Sequence, residues 1–162
     1  MDLLKQLKTA YKNNDCQAAQ EVLPHMQSDD IFHVLIFAVT QKKSDFVLTA
    51  QPYLSENRKG DLFALAVECR CINMVCALLP LSDPKFNHSC ALQMASAIQH
   101  QEIFDLLYPL SQPTKALTVM KKYSRSFEFE MLENAIEQSK IKATLHRAVK
   151  KSASKAKMGR KI

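Results

Sequence analysis

The chain has 162 residues and 18.4 kDa, the size of one ordinary domain, and 47% of its residues are hydrophobic, which is enough to form a core. Its only two glycines are Gly60 and Gly159, and this scarcity excludes glycine-rich phosphate loops and disfavours sheet-rich folds. The net charge of +6 is unevenly distributed, because residues 1–112 carry 9 basic and 12 acidic side chains, whereas residues 113–162 carry 13 and 4. An acidic body, at −3, is therefore followed by a basic end, at +9.

Three further features of the sequence indicate in which compartment the protein is expected. No stretch approaches the roughly 18 apolar residues of a membrane span, and the N-terminal residues lack the basic-then-apolar layout of a secretory signal. The five cysteines cannot all pair, and they fall inside apolar helical patterns. Reduced thiols in a cytoplasmic protein, without a transmembrane segment, are therefore expected.

The chain repeats itself every 28 or 29 residues from its N-terminus. The repeated positions are prolines 24, 52, 80 and 109 and alanines 10, 38, 66 and 95. Apolar residues keep the same register around each alanine, so the pattern predicts four units, at about 1–28, 29–56, 57–85 and 86–113.

Each unit has the spacing of two short helices. In the third unit, apolar residues recur at three- and four-residue steps before and after Arg70-Cys71, and Pro80 ends the second helix. Asp61 and Ser89 are predicted to be helix N-caps. Helix pairs this short cannot bury their apolar faces alone, so we predict an all-α helical-repeat solenoid in which neighbouring pairs stack.

The fourth unit resembles the core of an ankyrin repeat. The matching residues are Leu92, Ala95, His100, Glu102-Ile103 and Leu106-Leu107. The resemblance covers about residues 1–113, is strong in the fourth unit and faint in the first, and implies an ankyrin-like fold that binds other proteins. It also implies that His100 has a structural role, as the histidine that tethers loops by hydrogen bonds.

The sequence departs from the ankyrin pattern in two ways. The units are four or five residues shorter than the usual 33, so the projecting β-hairpin fingers are expected to be shortened or absent. The glycine between the two helices is replaced in every unit, by Asn14, Lys42, Arg70 and Gln99. Short repeats of this kind resemble those of bacterial, phage and large-virus ankyrin proteins.

The repeat pattern decays after residue 113. Residues 114–150 are predicted to form a degenerate fifth repeat followed by a capping helix, in which Ile141, Leu145 and Val149 are spaced by four. Residues 151–162 are basic with almost nothing to bury, and are expected to be a flexible tail.

No catalytic or cofactor pattern is recognisable. Cys69, Cys71 and Cys76 have the only metal-like spacing, but the first two are too close together for a zinc pair and no second pair follows, so no metal is expected. Cys76 is predicted to act as a small hydrophobe in its helix. No triad, paired carboxylates or phosphate loop is found, and a non-enzymatic protein without cofactors is predicted.

The predicted function is recognition of another protein, which the resemblance to bacterial and viral ankyrin proteins extends to inhibiting or redirecting that target as an effector. The first helix of each unit would line a concave face, and the candidate contact residues follow the repeated alanines. These residues are Tyr11, Lys12, Thr40 and Glu68.

A different class of function stays open at this point. The basic end could bind nucleic acid or an acidic membrane through phosphate contacts. The candidate residues for anion binding are Lys150, Lys151, Lys155, Lys157, Arg160 and Lys161. No aromatic residue follows Phe129, so base stacking is not expected.

Overall fold

The computed structural model describes residues 2–158, with side chains described for residues 2–150. Every regular element in this part of the chain is helical, which confirms the predicted all-α class. Its α-helices are α1 (Leu3–Asn13), α2 (Cys16–Val22), α3 (Ser28–Thr40), α4 (Ser44–Ala50), α5 (Glu56–Glu68), α6 (Ile72–Leu78), α7 (Phe86–Ala97), α8 (Gln101–Leu107), α9 (Pro113–Tyr123) and α10 (Ser126–Met158).

Long and short helices alternate through α8, which confirms the predicted helix pairs. The odd-numbered helices, here called the first helices, have 11 to 13 residues, and each of α2, α4, α6 and α8 has 7. A three-residue 3₁₀ turn follows each short helix, at residues 23–25, 51–53, 79–81 and 108–110, and a repeated proline is its middle residue. Because proline has no N–H, it ends the α-helical hydrogen bonding there.

The turn between the two helices of a pair is built identically each time. The residue four places after each repeated alanine adopts the left-handed conformation, with φ of 54° at Asn14, 57° at Lys42, 54° at Arg70 and 52° at Gln99. The next residue donates its N–H to the alanine carbonyl, as in Asp15 to Ala10 at 2.9 Å. This is the Schellman pattern of helix ends. Each repeated alanine is therefore a buried residue whose carbonyl accepts the hydrogen bond that ends its first helix.

The helices pack as two rows. Each first helix contacts the next one, from α1 to α9, and each short helix contacts the next, from α2 to α8. The core lies between the rows, and its largest fully buried side chains include Phe46, Phe63 and Phe104. The apolar residues three places before the repeated alanines are all buried there, at 1% exposure or less.

The predicted start of α5 was wrong, because Asp61 is not its N-cap. The helix begins at Glu56, and the Ser55 hydroxyl caps it by accepting from the Arg58 N–H at 3.4 Å. Gly60 lies inside the helix and is buried against the ring of Phe86. The glycine marks a close approach between α5 and α7 and not a break in α5.

Ser89 also differs from its predicted role as a cap. Asn87, His88 and Ser89 form a left-handed turn inside α7, with φ of 44°, 55° and 63°. The buried Ser89 hydroxyl accepts from the N–H of Gln112 at 2.9 Å, and the Gln93 amide donates to the His88 carbonyl at 2.9 Å. The hydroxyl therefore connects two loops and does not cap the helix that follows it.

The C-terminal part differs from the prediction as well. The two helices expected between residues 126 and 150 are one continuous helix, α10, which runs on to Met158 through the segment expected to be a flexible tail. Residues 159–162 lie outside the described part. Leu132 is fully buried where α10 packs against α7 and α9. None of the described helices, α10 included, combines the length and the apolarity that crossing a membrane needs.

Candidate interaction surface

The outer side of the first helices carries a shallow groove with a volume of about 280 Å³, here called the first-helix groove. It is formed by α3, α5 and α7, which succeed one another in the row. Its lining residues are Phe32, Ile36, Asp61, Ala64, Leu65, Glu68, Asn87, Cys90 and Met94. Most of this lining is apolar, with acidic groups at Asp61 and Glu68.

A column of apolar side chains follows this face. Phe37, Leu65 and Met94 each directly precede a repeated alanine, and the first unit has Thr9 at that position. Phe37 is 60% exposed, and Leu65 and Met94 are half-buried. We name this set the apolar column. Sequence reasoning missed it, although the signal was present as large apolar residues at a position where the first unit has a threonine.

An ion-pair cluster fixes one end of the groove. Arg58 Nε lies 2.8 Å from Asp29 on α3, and Arg58 Nη1 lies 3.2 Å from Asp61 on α5. The same guanidinium covers the ring of Phe32, with its carbon 4.7 Å from the ring centroid. The hydrogen bond from Arg58 lowers the pKa of Asp29 below its ordinary value. Asp29 therefore stays ionised, and Arg58 is held against Phe32.

The predicted contact residues are only partly brought together. Lys12, Thr40 and Glu68 occupy the same position in three successive units, two residues after the alanine, and all three are exposed at the C-terminal ends of first helices. Of the three, Glu68 lines the groove, whereas the hydroxyl of Thr40 is used within its own helix, donating to the Phe37 carbonyl at 2.9 Å.

Tyr11 lies apart from the groove. It occupies the position filled by buried residues in the next three units, and its ring packs edge-on against Phe46 of α4, with the centroids 5.6 Å apart. Lys43 reaches over the same ring at 4.3 Å and donates to the Tyr11 carbonyl at 2.7 Å. Tyr11 thus packs the first pair of helices against the second.

A second groove of about 310 Å³ continues the first toward the C-terminus. It lies between α7, α9 and the start of α10, and it shares Cys90 and Met94 with the first-helix groove. Ser96 of α7 donates to the Glu128 carbonyl at 2.7 Å and so fixes the start of α10 at this end. The two grooves are therefore continuous at Cys90 and Met94.

The cysteines are all free thiols. Burial raises the pKa of Cys90 and of Cys69, so both stay protonated at neutral pH. Cys76 is exposed, which corrects its predicted place as a small core hydrophobe. Among the described residues no group of three or more histidine, cysteine or acidic side chains is arranged to hold a metal ion.

His100 has a local structural role. Its Nδ1 accepts from the Ile103 N–H at 3.4 Å and caps α8, and Asp15 caps α2 in the same way at 2.9 Å. The two residues hold equivalent positions, directly after a left-handed residue. The ring therefore stabilises a helix start.

The basic candidates all belong to α10 or lie beyond it. Lys150 is exposed, and Lys151, Lys155 and Lys157 lie on the helix in its last turns. Arg160 and Lys161 lie outside the described residues. The groove and the basic end are thus carried by different elements.

A scan against protein-family models and searches of curated proteins and solved structures found no match for this chain. Function is therefore inferred from the groove and from α10 alone.

Proposed function

We propose that this chain is a non-enzymatic protein–protein interaction module, an ankyrin-like helical-repeat solenoid that binds one target protein and inhibits or redirects it. The proposal is supported by the alternation of long and short helices with a period of 28 or 29 residues and by the sequence resemblance of the fourth unit. The identical left-handed turns agree with it, because they keep the geometry that the family builds with glycine.

The observation that carries the proposal is the apolar column. Phe37 is 60% exposed, although removing a large aromatic side chain from water is favourable. Leu65 and Met94 extend the same surface over three neighbouring helices. Protein interfaces have an apolar centre and a polar rim. The apolar strip matches such a centre, and the acidic groups at its margin match such a rim.

In the proposed complex, apolar side chains of the target pack against Phe37, Leu65 and Met94, and a basic group of the target forms an ion pair with Glu68. Arg58 keeps Phe32 in place from one side, since Asp29 and Asp61 fix the guanidinium. Inhibition follows from occupancy, because a covered target surface is closed to its other ligands. No chemical step is needed.

Affinity capture with matched variants tests the proposal. The groove variant combines Phe37→Gln, in the apolar column beside the groove, with Glu68→Lys in the groove lining, and the control combines Cys76→Gln with Glu102→Lys on the short helices. All four residues are exposed, and both variants change the charge equally. We expect one stoichiometric protein partner that the wild type and the control retain and that the groove variant binds at least about tenfold more weakly, the effect of losing roughly 1.4 kcal/mol.

Three outcomes would reject the proposal. Equal retention by both variants would show that the partner uses another surface. Equal loss of partner binding by both variants would show that the loss is not specific to the groove. Recovery of nucleic acid without protein would assign the chain to a different class of function.

A further inference from the structure

The second half of α10 leaves the body of the protein. Leu132 is buried against α7 and α9, and the Ser139 hydroxyl lies 3.0 Å from the hydroxyl of Tyr108. Every described side chain from residue 140 to residue 150 is exposed, and the helix continues to Met158. Nineteen residues from Lys140 to Met158 correspond to a helix of about 28 Å.

This projecting segment has an apolar stripe of its own. Ile141 is 44% exposed, Leu145 is 60% exposed and Val149 is 65% exposed, and their spacing of four residues places them along one side of the helix. Ile141 follows Leu132 by nine residues, about two and a half turns. The stripe therefore lies on roughly the opposite side of α10 from the face that packs on the body, so it does not continue the core.

Basic side chains lie beside the stripe and on the face opposite it. At about 100° per residue, Lys142 lies about 60° from Leu145, whereas Lys140, Arg147 and Lys150 lie about 100° or more around the helix from both Ile141 and Leu145. An ion pair with Glu137 at 3.7 Å engages Lys140 only weakly. After Glu137 the sequence has nine basic residues and no acidic one.

We propose that the segment of α10 after Ser139 binds the surface of an anionic phospholipid bilayer, lying parallel to it with Ile141 and Leu145 inserted at the headgroup boundary. Such a surface has anionic groups above an apolar interior, which matches a helix with an apolar stripe on one face and with lysine and arginine beside and opposite that stripe. A nucleic acid would use the charges but leave the stripe in water. A parallel second copy would cover the stripe but bring like charges together.

Vesicle co-sedimentation with the full-length chain tests this site. The probes are vesicles of phosphatidylcholine alone and vesicles with about 30% phosphatidylserine, at physiological ionic strength. We expect binding to the anionic vesicles that is at least about tenfold stronger than binding to the neutral ones.

Two variants separate insertion from plain charge attraction. The stripe variant combines Ile141→Gln with Leu145→Gln, and the control combines Ala143→Gln with His146→Gln, at exposed positions about 100° or more around the helix from Ile141 and Leu145. Both leave the lysines and arginines unchanged. The stripe variant should lose vesicle binding at least about tenfold, because the transferred hydrocarbon is removed. The control should bind like the wild type, and circular dichroism should show equal helicity.

The proposal fails if the full-length chain ignores anionic vesicles, or if the stripe variant binds them as well as the wild type does. It also fails if a DNA duplex binds with a steep salt dependence while vesicles do not, since that result assigns the basic end to nucleic acid. The groove variant Phe37→Gln with Glu68→Lys should bind vesicles normally, so the two proposals stand or fall separately.

Discussion

In four successive helix pairs, a residue other than glycine adopts the left-handed conformation at the same place. Asn14, Lys42, Arg70 and Gln99 have φ between 52° and 57°. For residues other than glycine and asparagine this conformation costs about 1–2 kcal/mol, because Cβ approaches the neighbouring carbonyl oxygen. The neighbouring contacts recover part of this cost at Arg70, whose guanidinium donates to the Ile98 carbonyl at 3.0 Å, and at Gln99, whose amide donates to the Phe127 carbonyl at 3.4 Å.

Lys42 is the position where a glycine should help most, because lysine tolerates this conformation less well than asparagine does and, among the described residues, no side-chain hydrogen bond compensates as at Arg70 and Gln99. We expect Lys42→Gly to raise the free energy of unfolding by about 1 kcal/mol, since the strain is removed. Urea denaturation followed by circular dichroism measures this change. Gln41→Gly is the matched control: Gln41 has φ −90° and gains no relief, so this change should lower stability by about 0.5–1 kcal/mol. Equal effects of the two changes would show that the left-handed turn stores no strain.

The helices α5 and α7 approach each other closely at Gly60. A Cβ placed on Gly60 would lie 2.1 Å from Cδ1 of Phe86, well inside van der Waals contact. The ring of Phe86 thus fits against α5 only because residue 60 has no side chain. The left-handed turn at 87–89 follows Phe86 directly and sets the direction in which α7 continues.

A double-mutant cycle tests this contact. Gly60→Ala should destabilise the wild type by about 1–3 kcal/mol, because the ring must move out of its place. In a Phe86→Ala background the same change should stabilise by about 0.5–1 kcal/mol, since alanine favours the helix and the space is open. Thermal or urea unfolding of the four proteins measures the coupling. Additive effects would contradict the close packing of glycine and ring.

The helix pairs were predictable from the sequence, because their buried alanines and their prolines recur with the period of the pattern, whereas the left-handed turns at Lys42, Arg70 and Gln99 were not, since these residue types rarely adopt that conformation. The extent of α5 was not, since a glycine in a helix reads as a break unless the ring that requires it is known. The continuity of α10 was missed because the four-residue spacing of Ile141, Leu145 and Val149 was interpreted as a separate helix. Of the predicted contact residues, Glu68 lines the groove as its position suggested. The packing role of Tyr11 was not predictable, because its partner Phe46 lies 35 residues away in sequence.

The whole molecule combines an acidic body with a basic helix that leaves it. Residues 1–139 have a net charge of −3, because the nine basic residues after Ser139 are removed from the total of +6. The hydroxyls of Tyr108, in the 3₁₀ turn after α8, and Ser139 of α10 form a hydrogen bond where α10 leaves the body. Stability and net charge are therefore carried by different parts of the chain.

Removing residues 140–162 should leave the free energy of unfolding within about 0.5 kcal/mol of the full chain, because the described side chains in that segment are exposed. The shortened protein should change from cationic to anionic behaviour on ion exchange at neutral pH. Truncation after Arg125 is the contrasting case: it removes Leu132 from α7 and α9 and should cost about 2–5 kcal/mol. A large loss of stability in the first truncation would show that the projecting segment supports the body.

The side-chain hydrogen bonds that join one helix pair to the next connect residues between 23 positions apart, as in Ser89 and Gln112, and 32 positions apart, as in Tyr11 and Lys43. Closing a loop of that size costs little entropy, and the cost does not grow along the chain. Folding can therefore begin at any neighbouring pair and spread in both directions, with the speed typical of local topologies. On a ribosome, each pair could settle against the previous one as soon as about 30 further residues have emerged.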